Sequence, residues 1–294
     1  MKKQKKELKP IDLKKVKTYS IKKRKNLFKS EQFGKPIESK DFNKFIDSLP
    51  KVLAANDLRN VIDNIVKAHR KNRPVVLALG AHVIKCGLSP LVIDLMKRGI
   101  ITAVAMNGSG AIHDYEISLI GETSEDVSHS LKDGSFGMAK ETAEAIQAAA
   151  SVPDSGLGRA LGNKILKDKN KHRKDSILAV GAQLKIPVTV HVAVGTDIIH
   201  MHPCVSGSDI GESSHIDFKL LCSVVAGLEG GVWLNVGSAV IMPEVFLKAI
   251  TVARNLGRKV RNFTTVNMDM IQHYRPQTNV VKRPTTHGYS ITGH

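Results

Sequence analysis

Short, continuously apolar runs alternate with amphipathic ones along most of the chain. RPVVLALGAH, ITAVAMNGSG, KIPVTVHVAVGTD, GVWLNVGSAV and NFTTVNMDM each read as a strand buried on both faces. Between them, SPLVIDLMKRG, KETAEAIQAAA, SHIDFKLLCSVVAGLEG and MPEVFLKAITVARNLG read as helices. In the first helix Ser89 is the expected N-cap, Pro90 sits in the first turn and Gly99 is the stop. Upstream, Val61, Ile62, Ile65 and Val66 recur at helical spacing and predict a helix over Leu58–Lys71; a shorter helix is expected over Asp41–Ser48. The last stretch, HYRPQTNVVKRPTTHGYSITGH, has little periodicity and reads as a loop-like extension. Two-faced strands alternating with helices predict an α/β fold, a doubly wound and mostly parallel sheet covered by helices on both sides.

Composition refines this picture. The chain has 294 residues, of which 42% are hydrophobic, enough for a substantial core. Residues 1–40 read as a basic, flexible arm and residues 41–294 as a single domain. No apolar run approaches the roughly 20 residues of a membrane helix, so no membrane partner is expected. The lysine-rich start has no apolar stretch behind it, so no secretory signal is expected. Three cysteines, Cys86, Cys204 and Cys222, form no disulfide framework, and a reduced cytoplasmic location is expected.

The net charge is +17, yet residues 1–30 hold 13 Lys/Arg against only Glu7 and Asp12. A second basic run, KDKNKHRK, spans 167–174. Such runs are solvated, and aromatic residues make up only 4%, so stacking platforms are scarce. No specific nucleic-acid partner is expected.

Candidate chemistry gathers where the strands end. LGAH, NGSG, VGTD and NVGS each set glycine beside a small polar or ionisable residue. In open parallel sheets, ligands bind outside the carboxyl ends of the strands. Glycine lets the backbone turn sharply and approach a ligand, and nearby helix N-termini favour phosphate. The pattern points to a nucleotide-sized ligand. The dinucleotide fingerprint itself is incomplete, since GSGAIH carries His113 where the third glycine would stand. HVAVGTDIIHMHPCV offers a different chemistry: His191, His200, His202 and Cys204 could share a metal ion in a hydrolase. GESSHIDFK reads as a helix start capped by Ser213 or Ser214, and GETSEDV as one capped by Thr123 or Ser124.

The blocks LALGAHVIKCGLSPLVIDLMKRGIITAVAMNGSGAIHDYE, VGTDIIHMHP and GGVWLNVGSAV, in that order, resemble deoxyhypusine synthase. The resemblance covers most of the chain from about residue 40. It implies a Rossmann-like NAD-binding fold, a transferase acting on a small amine, a polyamine in that family, or an amino-acid-like substrate, and a homotetramer with sites at subunit interfaces. Carried over residue by residue, the family's first NAD loop falls on Gly80, Ala81 and His82. Its glycine turn falls on Asn107, Gly108, Ser109 and Gly110, and its acidic pair on His113 and Asp114. A further cofactor contact falls on Asp197, and the glycine triplet on Asn235-Val236-Gly237, followed by Ser238. The family's catalytic histidine falls near Met242-Pro243, where there is none. The closest counterpart of its imine-forming lysine is Lys282, which burial or a neighbouring arginine would make nucleophilic.

The resemblance thus implies NAD as cofactor, Lys282, His113 and Asp114 as catalytic residues, and no metal. Two alternatives stay open: a metal-dependent hydrolase built on His200 and His202, and a non-catalytic NAD-binding protein.

Overall fold

The computed structural model describes residues 13–30, 46 and 53–294. The helix expected over Asp41–Ser48 lies outside the described residues, Ile46 apart. In chain order the elements are β1 (Asn26–Lys29), α1 (Leu53–Arg70), β2 (Val75–Leu79), α2 (Ala81–Lys85), α3 (Ser89–Lys97), β3 (Ala103–Asn107) and α4 (Gly108–Ile120). There follow β4 (Glu122–Glu125), α5 (Lys140–Ala150), α6 (Leu157–Lys167), α7 (Ile177–Leu184), β5 (Val188–His191) and α8 (Gly207–Ala226). The chain closes with β6 (Val232–Val236), α9 (Ile241–Asn255), β7 (Thr264–Asp269) and β8 (His287–Thr292).

Six strands form one sheet in the order β5-β3-β2-β6-β7-β8, and every neighbouring pair is parallel. The α/β, doubly wound, Rossmann-like expectation holds. Alternate strand residues feed two cores. Leu77, Leu79, Val104 and Met106 face one, which also takes Ile93 of α3, Ile117 of α4, Leu161 of α6 and Leu178 of α7. Val76, Ala78, Ala103, Ala105 and Trp233 face the other, beneath α8 and α9. Alanines on that second face leave room for Phe246 of α9 to stack on Trp233, with ring centroids 4.1 Å apart. No helix among the described residues is long and apolar enough to cross a membrane.

Between α5 and β5, where the pattern of apolar positions predicts no element, α6 and α7 form in a stretch that contains Gly158, Gly162 and Gly181, residues that disfavour helix by about 1 kcal/mol each. Packing requires them. A methyl group on Gly158 would lie 1.9 Å from the Val188 carbonyl oxygen, and one on Gly162 2.4 Å from that of Leu178. The C-terminal stretch is not a loop. A wide helical turn over Tyr274–Lys282 leads into β8, whose half-buried Tyr289 and Ile291 pack on the first core. α8 starts earlier than expected, capped by Ser206, so Ser213 and Ser214 lie inside it. Glu122–Glu125 is a strand, and the cap of the short turn after it is Asp126.

The N-terminal segment is also different from the expected arm. Residues 13–30 are docked on the domain. Ile21 is fully buried, Tyr19 N–H donates to the Met138 carbonyl (2.9 Å), and β1 pairs with β4 in a separate antiparallel ribbon. Arg24 is buried and forms a two-pronged ion pair with Glu116 of α4, at 2.8 and 2.6 Å. A run of like charges looks unable to build a core, but here its partners are acids supplied by the domain.

Candidate functional site

From β2 the chain winds through β3 to β5, then returns to the other side of β2 for β6, β7 and β8. The reversal lies between β2 and β6, and a ligand crevice belongs at that point on the carboxyl edge. The four glycine-bearing ends follow β5, β3, β2 and β6, which are contiguous in the sheet.

The glycines are demanded by close approach. A methyl group on Gly80 would lie 1.9 Å from the Gly237 carbonyl oxygen, so the turns after β2 and β6 touch across the reversal. Gly237 also has a φ of +62°, a left-handed conformation that suits glycine. Ala81 and His82 open α2 directly beyond Gly80. Ser238 is engaged within the fold: its hydroxyl accepts the Met242 N–H (3.2 Å), and its carbonyl accepts Asn235 Nδ2 (2.9 Å).

After β3, Asn107 caps α4 with its own side chain, which accepts the Gly110 N–H at 3.0 Å. The Ser109 N–H donates to the carboxylate of Asp197. A methyl on Gly108 would lie 2.1 Å from Asp197 Oδ2. Burial pushes the Asp197 carboxyl up to about 6, against the pull of that N–H. Asp197 rides on the loop after β5, which is tied down further along: Ile198 and Met201 lie against Gly137, and His202 Nε2 donates to the Gly137 carbonyl at 2.7 Å.

His113 lies on α4, one and a half turns beyond Gly108, and retains some exposure. Its Nδ1 is 2.7 Å from Thr123 Oγ1. The Thr123 hydroxyl donates to Glu116 Oε2 at 2.5 Å. A hydroxyl has one proton, so the Thr123 oxygen must accept from His113, which places a proton on Nδ1. Burial alone would raise the Glu116 carboxyl. His113, 3.8 Å away, and the Arg24 fork reverse this and hold it at about 2. On neighbouring α2, His82 is pushed below its usual range by burial, then by Lys85 and His113, with Asp269 opposing. A histidine held through Nδ1 and a second histidine kept towards its neutral form can pass a proton to or from a bound molecule.

Two expected catalytic residues are elsewhere. Asp114 is fully buried beneath α4 and caps α7: it accepts the Ser176 hydroxyl (2.5 Å) and the N–H groups of Ile177 (2.7 Å) and Leu178 (3.2 Å). Lys282 is exposed and stands five residues before β8. Since β8 runs parallel to β7 with His287 level with Thr264, Lys282 lies at the edge where strands begin, opposite Gly80.

The histidine-rich run does not converge either. His200 Nδ1 accepts the Gly195 N–H (3.1 Å), His202 binds Gly137, and His191 Nε2 is 2.9 Å from Thr189 Oγ1. Among the described residues, no three His, Cys, Asp or Glu side chains come together as metal ligands. His191 instead lines a cavity of about 230 Å³ with Val192, Ile210, Ser214, His215 and Phe218. Burial alone holds it down at about 4, hence neutral. The Glu116–Thr123–His113 relay was not anticipated. Its signal was the i,i+3 spacing of His113 and Glu116, which puts both on one helix face.

No family model matches the chain, and no curated protein matches it. Its fold recurs in solved structures. A conserved protein described as LOR/SDH from Methanococcus maripaludis S2 is 15% identical with a TM-score of 0.54, over 84% of this chain and 66% of that one. AgrE, in a ternary complex with ornithine and NAD+, is 14% identical with a TM-score of 0.51, over 81% of this chain and 31% of that one. A protein described as a deoxyhypusine synthase from Entamoeba histolytica is 13% identical with a TM-score of 0.42, over 79% and 87%. Likeness at these identities concerns the fold alone. The chain spans just under two thirds of the first of these proteins and about a third of the second.

Proposed function

We propose that this chain is an NAD-dependent enzyme acting on a small amine or amino-acid-like substrate. The observation that carries this reading is the meeting of four glycine-bearing strand ends at the reversal of a parallel sheet, with Gly80 against Gly237 and Gly108 against Asp197. AgrE, which shares the fold, holds both NAD+ and ornithine, and this supports the choice of cofactor and substrate class.

The residues fit a dinucleotide in shape. Backbone without side chains is presented at Gly80, Gly108 and Gly237, and Asp197 supplies an oxygen able to accept a ribose hydroxyl whether or not the acid is protonated. The α4 N-terminus fits conditionally, because its Ser109 and Gly110 N–H groups already serve Asp197 and Asn107. A cofactor phosphate gains the Ser109 N–H as Asp197 gives it up. NAD, when bound, would supply a hydride acceptor. His113, already held through Nδ1 by Thr123, is placed to exchange a proton with the substrate at Nε2, and the relay through Thr123 to Glu116 stabilises its imidazolium form. The cavity beside β5 offers the substrate a mostly apolar wall with His191 and His215 as polar points.

Millimolar NAD+ or NADH should raise the melting temperature by several degrees. Ligand at 100 times its Kd adds about 2.7 kcal/mol to native stability. The rise should be larger at pH 5.5 than at pH 8, because a protonated Asp197 neither repels phosphate nor holds Ser109 as firmly. Asp197→Asn should flatten that difference. No shift with either nucleotide at any pH would remove the cofactor from this reading.

A homotetramer belongs to the same reading. Exposed Val194, Val240, Met270, Ile271 and Tyr274 follow β5, β6 and β7 and form an apolar rim beside the crevice. Static light scattering should return four times the chain mass; the monomer mass would exclude assembly.

A further inference from the structure

In a parallel sheet, each helix that leads into the next strand ends at the edge where strands begin. Cations favoured near helix C-termini are thereby delivered to a single edge. Along the sequence they look scattered. In space, β2, β6, β7 and β8 are neighbours. The connection into β2 carries Arg73, that into β7 carries Arg258, Lys259 and Arg261, and that into β8 follows Lys282 with Arg283. All six are exposed, and none forms an ion pair among the described residues. They span four strands, about 15 Å at roughly 4.8 Å per strand. The one acid in these connections is Glu229, whose carboxylate is committed to the N–H groups of Arg261 (2.6 Å) and Asn262 (3.0 Å). Asp197 and Asp269 lie at the opposite edge.

We propose that this edge binds the phosphate backbone of duplex nucleic acid without reading its sequence. Six exposed cations with no ion pair among the described residues, of which Arg283 also donates to Asn279 Oδ1 (2.8 Å), match a polymer that presents one phosphate per roughly 1.7 Å of its axis. Nearby Trp233 and Phe263 are buried and present no stacking face to single-stranded bases. Of the exposed large apolar side chains, Leu256 stands beside these cations, whereas Met270, Ile271 and Tyr274 follow the other end of β7, and one leucine is too little to anchor in a lipid surface. The inference concerns a face remote from the crevice and is independent of the NAD reading.

Fluorescence anisotropy with a labelled two-turn duplex and the full chain tests it. Binding at low salt should weaken linearly on a log–log salt plot, with a slope approaching about −5 if all six cations engage. Two duplexes of unrelated sequence should bind alike. Arg258→Glu/Lys259→Glu/Arg261→Glu should lower affinity at least tenfold and flatten the slope by about 3. Lys282→Glu/Arg283→Glu gives a second, independent reduction should the triple variant not fold. Changing the four lysines at positions 2, 3, 5 and 6 to glutamine should do far less. Absence of binding at about 50 mM salt would overturn the proposal. So would a loss of affinity confined to the lysine-to-glutamine variant, or tighter binding to phosphatidylserine vesicles than to duplex.

Discussion

Arg24→Ala is expected to destabilise the protein by about 3–5 kcal/mol, the usual consequence of removing one partner of a buried ion pair. The side chains of Arg24 and Glu116 are 3% and 1% exposed. Without the guanidinium, the Glu116 carboxylate keeps only the hydroxyls of Thr123 (2.5 Å) and Thr142 (3.2 Å), and His113 at 3.8 Å. Its remaining charge is then buried with too little compensation. The pH dependence follows from the sign of the shift. Native Glu116 is held at about 2, below its unfolded range, so its contribution is present above roughly pH 4.3 and lost as pH falls towards 2. In the variant the carboxyl rises and can protonate on moderate acidification. The deficit relative to the parent should therefore be largest near neutrality and shrink at acid pH. Urea unfolding at several pH values measures it. Trypsin should also cut the lysines of residues 13–30 faster in the variant, because Arg24 fastens that segment. An unfolding curve unchanged at pH 7, with no added cleavage, would show that the segment contributes nothing to the fold.

The sheet was legible because a strand buried on both faces has to be apolar throughout, and a strand end near a ligand or another backbone has to be glycine. β2, β3, β5, β6 and β7 all declared themselves in this way. The helices flanked by glycine did not. Gly158 and Gly162 lower helix propensity in sequence, while the carbonyls that forbid a side chain there, from Val188 and Leu178, are distant or on another element. Asp114 and His113 are adjacent in sequence, and in a strand-like loop they could share a pocket. On a helix each residue is turned about 100° from the last, and that rotation sends His113 towards α2 and Asp114 under α7. Lys282 illustrates the same limit at larger scale. Its distance from Gly237 along the chain suits a shared site, but a parallel crossover returns it to the far edge. Residues 13–30 were misjudged because composition counts charges and cannot say which acids will meet them.

Asp217→Asn is expected to stabilise the protein at pH 8 and to change little at pH 4. Asp217 lies on α8, fully buried, against β5 at the border of the sheet. Its Oδ2 accepts two N–H groups, from Gly158 and Val190, both at 2.8 Å. Its Oδ1 has no partner, and Gly156 leaves it just enough space, since a methyl there would lie 1.9 Å away. Burial drives the carboxyl up to about 7, despite the two N–H groups. A raised carboxyl favours folding fully below its unfolded value of roughly 3.9, and that benefit disappears as pH rises through about 7. A shift of this size corresponds to at most about 4 kcal/mol. Asparagine reproduces the protonated acid: its oxygen takes the place of Oδ2, its amide that of Oδ1, and it does not titrate. The gain of the variant over the parent should grow between pH 4 and pH 8 and then level off. Asp114 supplies the contrast. It too is raised by burial, to about 6, but both of its oxygens accept hydrogen bonds. An amide there must face a donor, so Asp114→Asn should destabilise at every pH. Melting temperatures of the two variants across pH 4–8 decide the matter: parallel behaviour, or an Asp217→Asn curve that follows the parent, would mean that the unpartnered Oδ1 is not where the proton resides.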